Sequence, residues 1–495
     1  MRIEQFRKPT RSILAQTVLF GLLIFLQICQ ASETRVRSMG AFKFSLRDPD
    51  RGFNLYDFGK NPAWLYQDEQ VSWLRISPAF TTQSGDYHRL FDPGDVDRYS
   101  AAFDGVKVQG EKGTFRGYTS YDVEYRNNVY RSLESDPYFG DAFFFCDTTT
   151  GNFRYNGPKV GFQYSLELFP SFYAGAGLTY QILDGLKSIY TRPKTLYRGV
   201  EGTVGIAYQV DENLALGLSI TPSDIQERIE SQSEDLLDVE TYKFRGEKYS
   251  TRYRGSTSSY KIHHEGFDVS SQLQWALEMK AELAARAGYN FNQTTILVPQ
   301  GLLKEVEEGY APKGFWYAEI ISHYPASEEI DLSASVSYNS IKSWSKNSVY
   351  DLRLWEWDAQ ELSLGMGASY RLSPKTLFAL EYEFGSWSAD SSKYIDARFS
   401  SWNMKCHTLR TGGEAELLPK IQVRLGCQLQ MADKDLIFGK DEFFGYRVSA
   451  GLGIGVIQDV TIDVLVEYGK VAPGRSSLLG RSSFDAAILV TLLSF

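Results

Sequence analysis

Along most of the chain, apolar and polar residues alternate one for one. At 114–126, TFRGYTSYDVEYR, the residues Phe115, Gly117, Thr119, Tyr121, Val123 and Tyr125 fall on one face. Arg116, Tyr118, Ser120, Asp122, Glu124 and Arg126 fall on the other. The same pattern recurs at 421–430, 445–455 and 460–468. Side chains of an extended strand point alternately to opposite faces, so each stretch predicts a strand with one apolar and one charged or small face. The strands come in pairs over 160–182, 203–221, 364–385 and 412–430, joined by FPS, DEN, SPK and PK. Such residues favour tight turns. Between the pairs lie longer polar stretches at 127–157, 184–197, 222–265, 293–313, 340–360, 386–404, 431–444 and 469–483.

Short turns at one end and long loops at the other predict an all-β fold, a transmembrane antiparallel up-and-down β-barrel with periplasmic turns and extracellular loops. Candidate strands number 14 to 18, with an even total expected; the first two, at 71–80 and 99–109, carry the weakest pattern. The 31 Tyr, 31 Phe and 9 Trp supply aromatic girdles. Residues 484–495 read as the closing strand, with Phe495, Leu493 and Leu489 on one face together with Thr491 and Ala487. Pairing this strand with the first removes the free edge that a bilayer does not tolerate. Its terminal Phe495 resembles the signal by which outer-membrane barrels are recognised by the barrel-assembly machinery.

The N-terminus reads as a secretory signal over 1–31, with Arg2, Arg7, Lys8 and Arg11 before an apolar run from Ile13 to Ile28. Removing four bases and one acid takes the net charge from −9 to −12. An acidic exported chain is a poor nucleic-acid binder, so no nucleic-acid partner is expected. Cys146, Cys406 and Cys427 make no disulfide framework, and the last two are expected on opposite faces of neighbouring strands. The chain therefore divides into a signal (1–31), a periplasmic N-terminal segment (32–70) and the barrel (71–495).

If apolar side chains face lipid, the charged strand positions face the lumen, because charge on the lipid face costs about 2–4 kcal/mol at mid-membrane. These are Arg116, Asp122, Glu124, Arg286, Glu319, Asp331, Arg371, Glu381, Glu383, Arg410, Glu414, Arg424, Arg447, Asp463 and Glu467. They line a translocation path or form a network that fills the barrel; both readings stay open.

The segment SETRVRSMGAFKFSLRDPDRGFNLYDFGKNPAWL, 32–65, is too long for a mere lead-in. Its RSMGAF, RDPD and NLYDFGKNPAWL resemble the start of mature chains in the long-chain fatty-acid transporter family of outer-membrane barrels. The matching positions are Asn61, Pro62, Ala63 and Leu65; Trp64 stands where that family usually has Gly. The resemblance implies a plug folded inside the lumen and passage of small hydrophobic molecules. Taken alone, Asn-Pro is equally a turn that starts the first strand. FRYNGPKVGFQYS, 153–165, also resembles uncharacterised outer-membrane barrels of the Bacteroidota.

Other candidates carry less. The loop 222–265 is acidic first and then interleaves bases with aromatics, as an anionic-glycan surface or an internally paired hairpin would. Trp355 and Trp357, beside Trp344, fit sugar stacking or the interfacial girdle. His263-His264-Glu265 lacks further ligands, so no metal or cofactor is expected. His407 points to lipid by phase and no nucleophile elbow accompanies it, so no catalytic residues and no enzyme are expected. The expected partners are outer-membrane lipid, the assembly machinery and a small hydrophobic ligand. The competing reading is a structural or interaction barrel without transport.

Overall fold

A chain crossing hydrocarbon has no water to satisfy its N–H and C=O groups, so a sheet must close on itself. The computed structural model describes residues 38–46, 54–138, 142–189, 192–232, 239–245, 250–255, 257–277, 281–300, 304–435, 437, 442–457, 459–474 and 479–493. The expected signal at 1–31 and Phe495 lie outside these residues.

The first strands are β1 (Trp73–Ser84), β2 (Asp95–Val108), β3 (Thr114–Ser132), β4 (Phe143–Phe169), β5 (Phe172–Lys187), β6 (Lys194–Gln209) and β7 (Leu214–Gln232). A hairpin of β8 (Val239–Arg245) and β9 (Ser250–Gly255) follows. Then come β10 (Thr257–Ala276), β11 (Glu282–Gln300), β12 (Lys304–Pro325), β13 (Ile330–Asn347), β14 (Leu352–Ser373) and β15 (Thr376–Lys393). The last are β16 (Arg398–Leu418), β17 (Ile421–Ala432), β18 (Phe443–Ile457), β19 (Val460–Pro473) and β20 (Arg481–Leu493). Each pairs antiparallel with the next, except that β7 pairs with β10 and the β8–β9 hairpin joins the start of β4. β1 pairs with β20, from Trp73↔Leu493 to Ser84↔Ser482, and closes an 18-strand barrel.

All four hairpins read from the sequence are present, as β4–β5, β6–β7, β14–β15 and β16–β17. The long polar stretches hold more strand than the alternation showed. β4 alone has 27 residues, where about 9–11 cross a bilayer, so strands continue well past the membrane on the loop side.

The faces exchange where they do so. On β14 the outward residues run Tyr370, Ala368, Met366, Leu364, Leu362, then Gln360, Asp358, Glu356. The inward residues run Arg371, Ser369, Gly367, Gly365, Ser363, Glu361, then Ala359, Trp357, Trp355. β7, β10, β15 and β16 switch in the same way. Lipid outside requires apolar residues outside; water outside lets the apolar residues turn in. The inward apolar residues of the outer half form one buried cluster, including Tyr260, Ile262, Ile341, Trp355, Trp357, Trp387 and Met404.

In the closing strand the face shared by Leu489 and Thr491 is the inner one, and Ile488 is exposed on the lipid side. The stretch AAILVTLL is apolar at both parities, so its alternation carries no phase.

The face exchange makes a direct prediction. Leu380→Arg, on the outer face within the lipid band, should cost about 2–4 kcal/mol in urea unfolding from lipid vesicles. Ser388→Arg lies on the same face of the same strand above that band. It should cost less than about 0.5 kcal/mol.

Candidate functional site

Two pieces of the segment before β1 lie against the inner wall. Residues 38–46 cross β14 to β18, over glycines that leave room for them. A Cβ at Gly412 would sit 1.9 Å from the Met39 carbonyl oxygen, and one at Gly426 2.0 Å from the Gly40 nitrogen. Gly365 receives the Phe44 ring and Gly451 the Ser38 side chain. Met39, Phe42 and Phe44 are buried.

One carboxylate organises this piece. Glu381 accepts hydrogen bonds from the backbone N–H groups of Lys43 (3.0 Å), Phe44 (2.9 Å) and Ser45 (2.6 Å), and Arg410 stands 3.4 Å away. Glu383 pairs with Lys43 at 3.0 Å and with Arg410 at 2.9 Å. Glu381 is wholly buried, so an ionised carboxylate is tolerated there only because these donors surround it.

The second piece is α1 (Leu55–Gly59), a 3-10 turn at Pro62–Trp64, and α2 (Leu65–Asp68). Asn54 caps α1 through the Asp57 N–H (2.7 Å), and Asn61 caps the 3-10 turn through the Ala63 N–H (3.0 Å). The Asn61 amide also donates to the carbonyls of Ile206 and Leu218, both at 3.3 Å. Proline at the first helical position needs no N–H partner, which suits Pro62. Asn-Pro thus starts a helical turn rather than β1. Leu55, Tyr56, Ala63, Trp64 and Leu65 bury against Ala207 and Ala215. Trp64 is fully buried under Gly217 and donates to Gln272 at 3.0 Å; Gln272 in turn donates to the Leu55 carbonyl. A glycine on the facing strand therefore makes the room that a tryptophan at this position needs.

Every charged strand residue singled out from the sequence points inward. Arg116 pairs with Asp104 (2.8 Å) beneath the Tyr56 ring, and Arg286 pairs with Glu319 (2.7 Å) and donates to the Phe58 carbonyl (2.8 Å). Asp122 pairs with Arg98 (2.9 Å), and Glu124 with Arg126. Arg424 joins Glu414 (2.9 Å) to Asp463 (2.8 Å), and Arg447 pairs with Glu467 (3.2 Å). Asp331 and Arg371 sit by the short turns. Glu381, Glu383, Arg410, Arg116 and Arg286 hold the N-terminal segment; Asp122, Glu319, Glu414, Arg424, Arg447, Asp463 and Glu467 pair strand to strand, and Glu124 pairs within β3.

At the short-turn mouth, Asn54, Gln67, Asp68, Gln209 and Glu212 line a polar cavity of about 390 Å³. Burial beside Tyr56 pushes the Asp68 carboxyl up to about 7, although the Tyr56 N–H donates to it at 2.6 Å. Above residues 38–46 the wall changes character. Trp357, Trp387 and Trp402 lie on β14, β15 and β16, with Phe315, Ile341, Ala359 and Met404 beside them. The Trp357 and Trp402 indole N–H groups have no acceptor among the described residues, and Lys313 lies 5.5 Å from the Trp357 ring centre. The first residues of β4 pack inward at the far end. Phe145 stacks on Tyr260 at 4.8 Å, and Phe143 fills the space above Gly309.

Sequence reasoning placed Trp355 and Trp357 at the surface. The face exchange turns them inward, and the signal for it was the polar series Glu356, Asp358 and Gln360 between them. His407 is exposed on the outer face and hydrogen-bonds the Tyr382 hydroxyl at 2.7 Å. Cys406 and Cys427 are free and face opposite sides. His264 points inward to Thr294 (2.7 Å), whereas His263 and Glu265 point outward and meet Asp224 of β7, a ligand type that adjacency in sequence does not reveal.

A closed 18-strand sheet, apolar outside over the bilayer and ion-paired within, is an outer-membrane β-barrel. The chain belongs to a family of unknown function (DUF6850), whose family model matches residues 62–319. No curated protein matches it in sequence. Among solved structures it is similar to the toluene transporter TbuX of Ralstonia pickettii, at 10% identity and a TM-score of 0.35. That match covers 94% of this chain and 99% of the other. It is also similar to the toluene transporter TodX of Pseudomonas putida, at 11% and 0.35, covering 94% and 98%. A third is BauA, the ferric preacinetobactin receptor of Acinetobacter baumannii, at 6% and 0.42, covering 86% and 80%.

Two predictions concern the N-terminal segment. Glu381→Gln removes the charge that three N–H groups share, which should loosen residues 38–46 by about 2–3 kcal/mol. Tryptic cleavage at Lys43 in the detergent-folded protein should then rise about thirtyfold or more, since it follows the open population. For Asp68 the folded protein holds the proton more tightly than the unfolded chain. Docking of α1 and α2 is therefore strongest below the ordinary carboxylate range, weakens as pH climbs to about 7, and is flat above it. The ratio of cleavage rates at Lys60 in wild type and Asp68→Asn, taken at each pH, should rise between pH 4 and 7 and then level off.

Proposed function

We propose that this barrel gives passive passage to a small hydrophobic molecule, with residues 38–46 and 54–68 serving as a hatch at the short-turn end. One observation carries the reading: the outer half of the lumen is lined with Trp, Phe, Ile, Ala and Met. A water-filled porin keeps a polar interior, whereas binding pockets for apolar ligands are lined mainly by apolar and aromatic side chains with few polar groups. Here the polar groups include the indole N–H groups of Trp357 and Trp402, the ammonium of Lys313 and the buried side chains of Ser343, Ser391 and Lys393. The charged positions near the hatch would line the lower part of the path. A second reading, a closed structural barrel, is favoured by the contacts that tie the hatch to the wall: the Lys43–Glu383 ion pair, the Glu381 hydrogen bonds to residues 44 and 45, and the Arg286 bond to the Phe58 carbonyl.

Mass spectrometry of organic extracts from the detergent-folded protein, beside a control barrel prepared in the same way, separates the two. Transport predicts a hydrophobic compound retained by this protein alone, reduced at least about fivefold by Trp357→Ala and altered by deleting residues 32–65. Extracts holding only the control's lipids would contradict transport and leave the structural reading.

A further inference from the structure

On the outer surface, the first row of side chains above the lipid band departs from the rest. Phe267 and Phe291 mark the top of the aromatic surface on β10 and β11. One step higher, Asp224 of β7 stands directly opposite Glu265 of β10, and His263 lies on the same face, opposite Gln226. Like charges directly opposed across an antiparallel pair repel. Among the described residues neither carboxylate meets a lysine or an arginine. Lys261 is drawn to Glu305 at 3.3 Å, and Arg228 to Glu230 at 2.7 Å. Only the imidazole stands between the two acids.

We propose that Asp224, His263 and Glu265 form a divalent metal site of the zinc type, with its fourth position open to the outside.

The two spacings from the imidazole already suit a shared ion. His263 Nε2 lies 3.1 Å from Asp224 Oδ2 and 3.4 Å from Glu265 Oε1, and all three atoms fall within 4.8 Å of one another. Bonds of about 2.0–2.2 Å in a tetrahedron put neighbouring ligand atoms roughly 3.3–3.6 Å apart. The carboxylates are also oriented from behind. Gln226 donates to the other Asp224 oxygen, Oδ1, at 3.2 Å, and Gln293 to the other Glu265 oxygen, Oε2, at 3.4 Å. Each leaves one oxygen aimed at the imidazole, as outer partners of a metal site do. Two carboxylates and a nitrogen favour zinc and its neighbours over calcium, which takes oxygen ligands only. Both carboxylates are about half exposed, so the remaining position faces solvent.

The test uses the full barrel, folded in detergent and stripped with a chelator. Titration with Zn²⁺ by calorimetry should find one ion per chain. Co²⁺ in the same site should give the visible absorption of a four-coordinate ion. His263→Ala and Asp224→Asn should each weaken Zn²⁺ at least about tenfold and abolish the cobalt spectrum. Heat-shifted mobility on gels confirms that each variant has folded. Equal Zn²⁺ binding by wild type and folded His263→Ala, or no stoichiometric binding by wild type, would overturn the proposal and leave a surface ion pair.

Discussion

A strand that runs from hydrocarbon into water must exchange its apolar and polar faces, and the interior of this barrel follows from that exchange. Over the bilayer, apolar side chains go out and the inner wall is left to Arg, Glu, Asp, Ser and Gly. Beyond the bilayer the outer face is wet, and the apolar residues of the same strands turn inward. β14 shows the change within one element, from Leu362 outside and Glu361 inside to Asp358 outside and Trp357 inside. One constraint thus produces two stacked compartments, a charged one by the short turns and an aromatic one above it.

The charged compartment explains how a segment with no strand partner stays inside. Its backbone N–H groups need acceptors, and a buried carboxylate needs donors. Glu381 and residues 43–45 satisfy each other, with Arg410 balancing the charge. Glycines at 365, 412, 426 and 451 let the segment approach the wall closely, and Gly205 and Gly217 do the same for Asn61 and Trp64. Some of the charges that a porin would leave to water, on Glu381, Glu383, Arg410, Arg116 and Arg286, here hold polypeptide.

Much of this was legible in the sequence, because alternation with one charged face is a local signal. The four hairpins, the inward direction of Arg410 or Glu467, and the closing role of the last strand were read from it. The loop-side strands were not. In 257–265, TSSYKIHHE, the inward residues are Tyr260, Ile262 and His264, and the outward ones, Ser259, Lys261, His263 and Glu265, are polar. Read without knowing where the membrane ends, such a stretch is a polar loop. NPAWL stayed open between hatch and turn because its partners Gln272, Gly217 and Ser165 lie far along the chain. Asp224 and His263 become neighbours only because β7 skips the β8–β9 hairpin to pair with β10. No sequence window contains that pairing.

The central claim is that residues 38–46 and 54–68 are bound inside the barrel by specific hydrogen bonds. Hydrogen–deuterium exchange of the detergent-folded protein, read by mass spectrometry, tests it most directly. Peptides from both pieces, and above all the amides of 43–45 on Glu381, should stay protected for hours, as the strands do. Exchange of both pieces within seconds, at the rate of a free peptide, would contradict the account.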